Sequence, residues 1–412
     1  MMTPSDKIRL SVEKLVYGGD GFARYDGKAC FVENAVPGDE IIAEIRSVKK
    51  QYLHAGVEKI LLFSPNRTEP PCPYFENCGG CQWQHIDYNY QLAAKEAIVH
   101  ESFRRLGRIS GIQIHRIIPS KAVFNYRSRT IMQVDRGLSR IGYFMRNSHK
   151  VIQIDSCMLL EEPINLSLKK LRQTLNTIVR DRKVKNMAFL LSKRENRVVV
   201  SFNTGRGRSG IKPLIYDVMQ DEISPVPEIF EEINDYRFKR SPGRFYQVNL
   251  LQNLEMIRLV TEAFAELDRP EILDLYCGCG NFSLFLAKQC RKVDGVDSDT
   301  KIIVEAAKNA KTNGIDNCFF RAQDLSAPLH TAAGKNYDGV LLNPPRTGTS
   351  PQLIADILRI QPRVIVYVSC DPATLSRDLK LLVKDRYRIL SVQPIDMFPQ
   401  TYHIETVVKL VK

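Results

Sequence analysis

The sequence predicts a multi-domain chain: a small N-terminal β-barrel, a central α+β domain, and a C-terminal doubly wound α/β sheet ending in an antiparallel hairpin. Three observations carry this prediction. Short alternating runs broken by glycine corners fill residues 1–63. Strand and helix patterns alternate from Ile272 to the end, the rhythm of a mainly parallel sheet. Between them, residues 64–242 mix strands with two helical stretches and open on three closely spaced cysteines. A chain of 412 residues is long enough for three such units, predicted as 1–63, 64–242 and 243–412.

In the first unit, strands are expected at Ser11 to Leu15, Gly21 to Arg24, Ala29 to Val32, Glu40 to Val48 and His54 to Leu62. Gly18-Gly19-Asp20-Gly21, Asp26-Gly27 and Pro37-Gly38-Asp39 separate them. Five short strands with glycine-rich corners suit a barrel of the oligonucleotide-binding type. The run Gly-Gly-Asp-Gly-Phe-Ala, then Val-Pro-Gly-Asp before a basic strand, resembles a TRAM domain, an RNA-binding barrel attached to RNA-modifying enzymes.

Pro70-Pro71 closes that unit and opens Cys72-Pro-Tyr-Phe-Glu-Asn-Cys78-Gly-Gly-Cys81-Gln-Trp-Gln-His85. Three cysteines with a glycine pair that lets the backbone wrap tightly form a ligand loop, not a core pattern. A fourth soft ligand is needed. Cys157 is the best candidate, because the remaining cysteines lie in the N-terminal barrel or the C-terminal unit. All-thiolate ligation suits a structural zinc or an iron–sulfur cluster, and spacing does not separate them. The glycine pair and Gln84-His85 resemble the four-iron cluster loop of bacterial ribosomal RNA uracil methyltransferases, which implies a 4Fe-4S cluster.

A helix is expected over Tyr88 to Leu106, then strands at Arg129 to Val134, Ile141 to Phe144, Val151 to Ile154, Met187 to Ser192 and Arg197 to Phe202. A helix spans Pro163 to Ile178, and Arg194-Glu-Asn196 reads as a hairpin turn. The formal charge of +13 concentrates here: residues 101–150 hold eleven Lys/Arg against Glu101 and Asp135, nine of the thirteen excess charges. Tyr126, Tyr143 and Phe144 are interleaved with these cations, as in surfaces that grip single-stranded nucleic acid. A polyanionic partner is expected; a membrane or an obligate protein partner is not.

From Gly243 a helix over Leu250 to Leu267 leads into seven strands: Ile272 to Tyr276, Lys292 to Val296, Asn317 to Arg321, Gly339 to Leu342, Val364 to Val368, Tyr387 to Ile395 and Glu405 to Leu410. Helices are expected between the first five. The last two strands follow each other directly, as in the terminal hairpin of S-adenosylmethionine-dependent methyltransferases. Leu273-Asp-Leu-Tyr-Cys-Gly-Cys-Gly-Asn-Phe-Ser283 reads as strand, glycine loop, helix, which lets backbone approach a ligand at a strand's carboxyl end. Asp297 after the second strand can accept both ribose hydroxyls, and Asp324 follows the third. The loop lacks the third glycine of a pyrophosphate loop, which fits a donor without phosphate better than a dinucleotide.

Asn343-Pro344-Pro345-Arg346 follows the fourth strand. A similar Asn-Pro-Pro occurs in enzymes that methylate exocyclic amines of bases, although there an aromatic residue follows. After the fifth strand, Asp371-Pro372 reads as cap and first residue of a helix, which sets Cys370 at a strand end and a helix start. The helix dipole favours a thiolate there, and Asp371 opposes it. Glu405 opens the final strand beside β-branched residues, a carboxylate whose pKa partial burial can raise.

Together these residues match one chemistry. Carbon 5 of uracil needs a thiolate at carbon 6 to become nucleophilic, and a base must then remove the carbon 5 proton. The whole chain resembles the 23S ribosomal RNA uracil-5-methyltransferases that carry a TRAM domain and an iron–sulfur cluster. The resemblance implies Cys370 as nucleophile and Glu405 as proton acceptor. It implies Gln247, Tyr276, Asn281, Asp297, Asp324 and Asn343 as contacts to S-adenosylmethionine, and Cys72, Cys78, Cys81 and Cys157 as cluster ligands. The family usually has Asp at Asn343 and commonly Glu at Asp297, and the first change removes a charge near the reacting centre. Transfer RNA relatives generally lack the barrel and cluster loop, so the expected substrate is ribosomal RNA. Alternatives are transfer RNA and amine methylation through Asn343-Pro344-Pro345. Asp6, Lys7 and Arg9 precede no apolar signal core, so a cytoplasmic protein is expected.

Overall fold

The computed structural model describes residues 2–412 apart from 136, 138–139, 182–183, 204–213, 218–221, 225–228, 242–243 and 330–335. The predicted domain boundary at 242/243 therefore lies outside the described residues.

The N-terminal sheet has six strands, β1 (Lys7–Ser11), β2 (Lys14–Leu15), β3 (Gly21–Tyr25), β4 (Lys28–Glu33), β5 (Glu40–Val48) and β6 (Tyr52–Leu62), in the order β1-β5-β6-β4-β3-β2. β1 also packs on β3, which curls the sheet into a barrel. The expected strand at Ser11 to Leu15 is divided between β1 and β2. β1 escapes a hydrophobicity reading because only Ile8 and Leu10 of its five residues face the core. Ala23, Cys30, Val32, Ile41, Ile45 and Leu53 fill the interior.

Asp87 caps α1 (Tyr88–Ser102) by accepting the Asn89 and Tyr90 amides, and a π-turn at Phe103–Gly107 extends it. The central sheet is antiparallel, built from β7 (Arg129–Asp135), β8 (Arg140–Phe144), β9 (Val151–Gln153), β10 (Asn186–Ser192), β11 (Arg197–Asn203), β12 (Leu214–Asp217) and β13 (Glu222–Ser224), with α2 (Glu162–Asp181) before β10. Its order is β13-β12-β11-β10-β7-β8-β9. The β10–β11 turn spans 193–196, with Asn196 at φ 51°, as the sequence predicts. β12, β13 and the hairpin of β14 (Ile229–Ile233) and β15 (Tyr236–Arg240) are not foreseen; they are short and rich in charge.

α3 (Leu250–Ala263) leads to the C-terminal sheet: β16 (Glu271–Leu275), β17 (Lys292–Asp297), β18 (Cys318–Ala322), β19 (Gly339–Leu342), β20 (Val364–Ser369), β21 (Arg388–Ile395) and β22 (Glu405–Val411). The order is β18-β17-β16-β19-β20-β22-β21, parallel except that β22 runs antiparallel between β20 and β21. α4 (Ser283–Leu286), α5 (Thr300–Thr312), α6 (Pro351–Ile360) and α7 (Pro372–Asp385) are the remaining helices among the described residues. The expected helix between β18 and β19 is not seen in the described part of that link.

Burial on both faces explains the near-continuous apolar strands. Leu273, Leu275, Val340, Leu342, Ile365 and Tyr367 join one core, while Ile272, Leu341, Val364, Val366 and Val368 join the other. Each such buried aliphatic side chain contributes about 1.5–3 kcal/mol. The sheet is thus a rigid floor whose carboxyl edge carries the site.

Candidate active site

At that edge lies a cavity of about 580 Å3 lined by Gln247, Tyr276, Asn281, Asp297, Asn343, Cys370 and Glu405, seven of the eight catalytic and donor residues expected from the sequence. Asp324 is not in its lining. It stands exposed beyond β18, its carboxylate accepting the Ser326 amide and hydroxyl.

Local structure shapes the donor side. β16 ends where Tyr276 takes φ 62°, turning the chain sharply, and its hydroxyl meets Thr349 Oγ1 at 3.0 Å. Gly280, at φ 89°, could not be replaced by a larger residue, since a Cβ would come within 2.4 Å of Leu284 Cδ1. Asp297 accepts the Gly278 amide at 3.0 Å and the Asp299 amide at 3.0 Å, so the acid is aimed by backbone. Asn281 forms a reciprocal amide pair with Asn253 at 2.8 and 2.9 Å.

The opposite side holds the two catalytic candidates. β20 ends at Ser369, and Asp371 caps α7 by accepting the Ala373 and Thr374 amides at 2.9 Å. β20 and β22 pair with Ser369 opposite Thr406, so one residue further the register brings Cys370 across from Glu405. The strand pairing itself juxtaposes thiol and carboxyl.

The thiol's electrostatics differ from the sequence expectation, and the carboxyl's agree with it. The Cys370 thiol is not lowered by its helix start but pushed up to about 12, chiefly by burial and then by Glu405. Glu405, buried, is pushed up to about 8 by desolvation, with Arg346 pulling the other way. His403, also lining the cavity, accepts from Arg346 Nη2 at 3.0 Å and is driven down to about 3 by burial and that guanidinium, so its ring is neutral. Asn253 and His403 were given no role from sequence; His403 lies two residues before Glu405, whereas nothing local marks Asn253.

The barrel reaches this site. Tyr17 donates to the Cys370 carbonyl at 3.2 Å and packs edge-on against Tyr402.

Cys72, Cys78, Cys81 and Cys157 line a second cavity, of about 330 Å3. Asn165 fixes the Cys157 backbone, accepting its N–H at 2.9 Å. Among the described residues, however, no group of three or more His, Cys, Asp or Glu side chains closes to metal-holding geometry. The four thiols surround a space instead of converging on a point. No carboxylate or imidazole is among the residues lining that space; the cysteine sulfurs are its soft donors, and Arg127 and Arg129 are its charged neighbours.

The stacking role expected of the aromatics holds in placement only for Phe144, which is exposed. Tyr126 is buried, its hydroxyl donating to the Pro399 carbonyl at 3.0 Å, and Tyr143 faces the cysteine cavity and bonds Thr130. Arg104, Arg105, Arg108, Arg116, Lys121, Arg140 and Lys150 remain exposed cations. No described helix is long and apolar enough to cross a membrane.

A doubly wound sheet with an inserted antiparallel β22 and a glycine loop facing an acid is the frame of an S-adenosylmethionine-dependent methyltransferase. Residues 148–412 match the tRNA (uracil-5-)-methyltransferase family and residues 4–57 the TRAM domain. The chain belongs to this family of RNA uracil-5-methyltransferases. It is 33% identical to an uncharacterised RNA methyltransferase of Gloeobacter violaceus, covering 98% of this chain and 96% of the relative. It is 32% identical to the 23S rRNA (uracil(1939)-C(5))-methyltransferase RlmD of Aeromonas salmonicida, over 98% and 96%. The solved tRNA (uracil-54, C5)-methyltransferase of Pyrococcus abyssi, in complex with S-adenosyl-L-homocysteine, superposes with TM-score 0.75 at 28% identity, covering 98% of this chain and 100% of that one. That extent removes one sequence argument: a tRNA enzyme matches nearly the whole chain, so barrel and cysteine loop do not by themselves select ribosomal RNA.

Proposed function

We propose that this chain methylates carbon 5 of a uridine in 23S ribosomal RNA through a covalent Cys370 adduct at carbon 6. The single observation that carries the mechanism is the placing of Cys370 and Glu405 opposite each other in the cavity that also holds Gln247, Tyr276, Asn281, Asp297 and Asn343. The likeness to the Aeromonas enzyme over the full length favours ribosomal RNA.

S-adenosylmethionine, when bound, supplies the methyl group and a positive sulfonium. Cys370 and Glu405 are both held neutral by burial, and a positive charge in the cavity favours the anionic form of each. The Cys370 thiolate adds to carbon 6, and carbon 5 of the resulting enolate takes the methyl group. Glu405 then removes the carbon 5 proton, the carbon 5–carbon 6 double bond re-forms, and Cys370 leaves as thiolate. Asp297, aimed by two amides, is placed for ribose hydroxyls; Asn343 offers an oxygen without a charge. Cys72, Cys78, Cys81 and Cys157 would hold a 4Fe-4S cluster, which would cross-link the segments that carry them. An all-sulfur set around an open space suits a polynuclear cluster, one thiolate per iron, better than a zinc ion with sulfurs at about 2.3 Å.

Cys370→Ala tests the mechanism. Activity should vanish, whereas methylation of an exocyclic amine through Asn343-Pro344-Pro345 needs no thiol and would survive. Mapping 5-methyluridine in the RNA of a deletion strain tests the substrate: loss from 23S RNA supports the proposal, and loss confined to transfer RNA contradicts it.

A further inference from the structure

We infer that Cys81-Gln82-Trp83 braces the loop that presents Glu405, so that whatever the four cysteines hold governs proton removal and not the attack of Cys370. This rests on the mechanism proposed above.

The loop between β21 and β22 runs from Asp396 to Ile404 and is tied at its centre to the cysteine segment. The Gln400 carbonyl accepts both the Gln82 and the Trp83 amides, each at 3.1 Å. Gln91, from α1, completes a ring: its Nε2 donates to Gln400 Oε1 at 3.0 Å and to the Trp83 and Ile86 carbonyls at 3.0 and 2.9 Å, while its Oε1 accepts the Gln400 amide at 3.1 Å. Gln91 and Gln400 are both buried. Gln400 takes φ 68°, a left-handed conformation that a non-glycine residue keeps only where its surroundings enforce it.

Three further side chains hold the same loop. Lys95, also on α1, meets Asp396 at 2.6 Å and the Phe398 carbonyl at 3.1 Å, and Tyr88 donates to Asp396 at 2.8 Å. Tyr126, packed in one apolar cluster with Phe75, Cys81 and Leu159, donates to the Pro399 carbonyl. Every one of these ties enters upstream of Glu405. Cys370 is held mainly by β20 and the capped start of α7, with Tyr17 donating to its carbonyl, whereas the ties from Gln82, Trp83, Gln91 and Lys95 all enter the loop that leads into Glu405, so loosening the brace displaces the base more than the nucleophile.

Trp83 is the chain's single tryptophan and is wholly buried, its indole donating to the Gly19 carbonyl at 2.9 Å. Its emission therefore reports the brace directly.

The test compares the intact protein with Gln91→Ala and Cys72→Ala; Cys72 lines the cysteine cavity but not the active-site cavity. Each is mixed with uridine RNA and S-adenosylmethionine, and three quantities are read: the first-turnover rate of S-adenosylhomocysteine formation, the steady-state turnover rate, and the steady-state fraction of RNA covalently held by protein. The brace predicts that both variants raise the covalent fraction about fivefold or more, with slower turnover and a first-turnover rate within about twofold of the parent. Trp83 emission should shift to the red in both. A covalent fraction equal to the parent's, or first turnover falling in step with steady-state turnover, overturns the inference. If Gln91→Ala does not fold, Cys72→Ala decides by the same readings; if that also does not fold, Gln400→Ala does. Glu405→Gln must accumulate adduct in the same assay; if it does not, the assignment of Glu405 as base fails, independently of the brace.

Discussion

Glu405 is the residue on which the pH behaviour turns. In the proposed mechanism it acts as a carboxylate, and it is pushed up to about 8, so kcat/KM should rise through pH 7 to 9 and fall as pH drops through about 8. The same shift carries a stability signature. In the unfolded chain the carboxyl releases its proton near 4.5, whereas the folded chain keeps it until about 8. Stability is therefore lost as pH rises between those values and is level above. Glu405→Gln should abolish turnover and yet stabilise the fold at pH 9 by on the order of a few kcal/mol, measured by urea unfolding. Equal stability of parent and variant at pH 9 would contradict the burial assigned to this group. Cys370 and Glu405 were legible in sequence because each sits at an element end marked by its neighbours. The direction of the thiol's shift was not, because burial depends on the strand and loops packed over it, and no local pattern records that.

At the level of elements, the ion pair of Lys95 with Asp396 joins α1 to the loop after β21 across 301 residues, both side chains wholly buried. Lys95→Met leaves Asp396 buried without its cation and should cost about 3–5 kcal/mol of unfolding free energy. Urea titration with an unchanged m-value would check it, and a loss below about 1 kcal/mol would show that the pair is not the anchor described. Such a pair cannot be read from sequence: Lys95 lies in an ordinary helical pattern, and its partner is fixed only by the tertiary fold. Tyr126 failed for the complementary reason. Its basic neighbours suggested a surface, but its ring belongs to the apolar cluster around Cys81. The C-terminal strands, by contrast, were read to within a residue or so at each end; in β19 and β20 two-sided burial writes itself as unbroken apolar runs.

For the whole molecule, charge and fold act together. The barrel meets the C-terminal sheet through Tyr17, and Arg104, Arg105, Arg108 and Arg116, which follow α1, are exposed cations. Replacing Arg104, Arg108 and Arg116 by Ala should weaken RNA binding and flatten the slope of log affinity against log salt by about 2, at roughly 0.7 per single-strand phosphate contact. Binding of S-adenosylhomocysteine should be unchanged, and an unaltered salt slope would place the RNA elsewhere. The N-terminal barrel and the C-terminal sheet were visible in the sequence through the glycine corners of the first and the strand–helix rhythm of the second. The meeting of barrel, cysteine segment and base loop was not, since it is made of contacts among residues hundreds apart.

The central claim is that Cys370 bonds to the base during methyl transfer. Incubating the protein with S-adenosylmethionine and RNA bearing 5-fluorouridine tests it most directly, because fluorine at carbon 5 leaves Glu405 no proton to remove and holds the adduct. The account predicts a covalent protein–RNA complex that survives denaturation, maps to Cys370 and is absent in Cys370→Ala. Protein that methylates uridine RNA yet forms no such complex would contradict it.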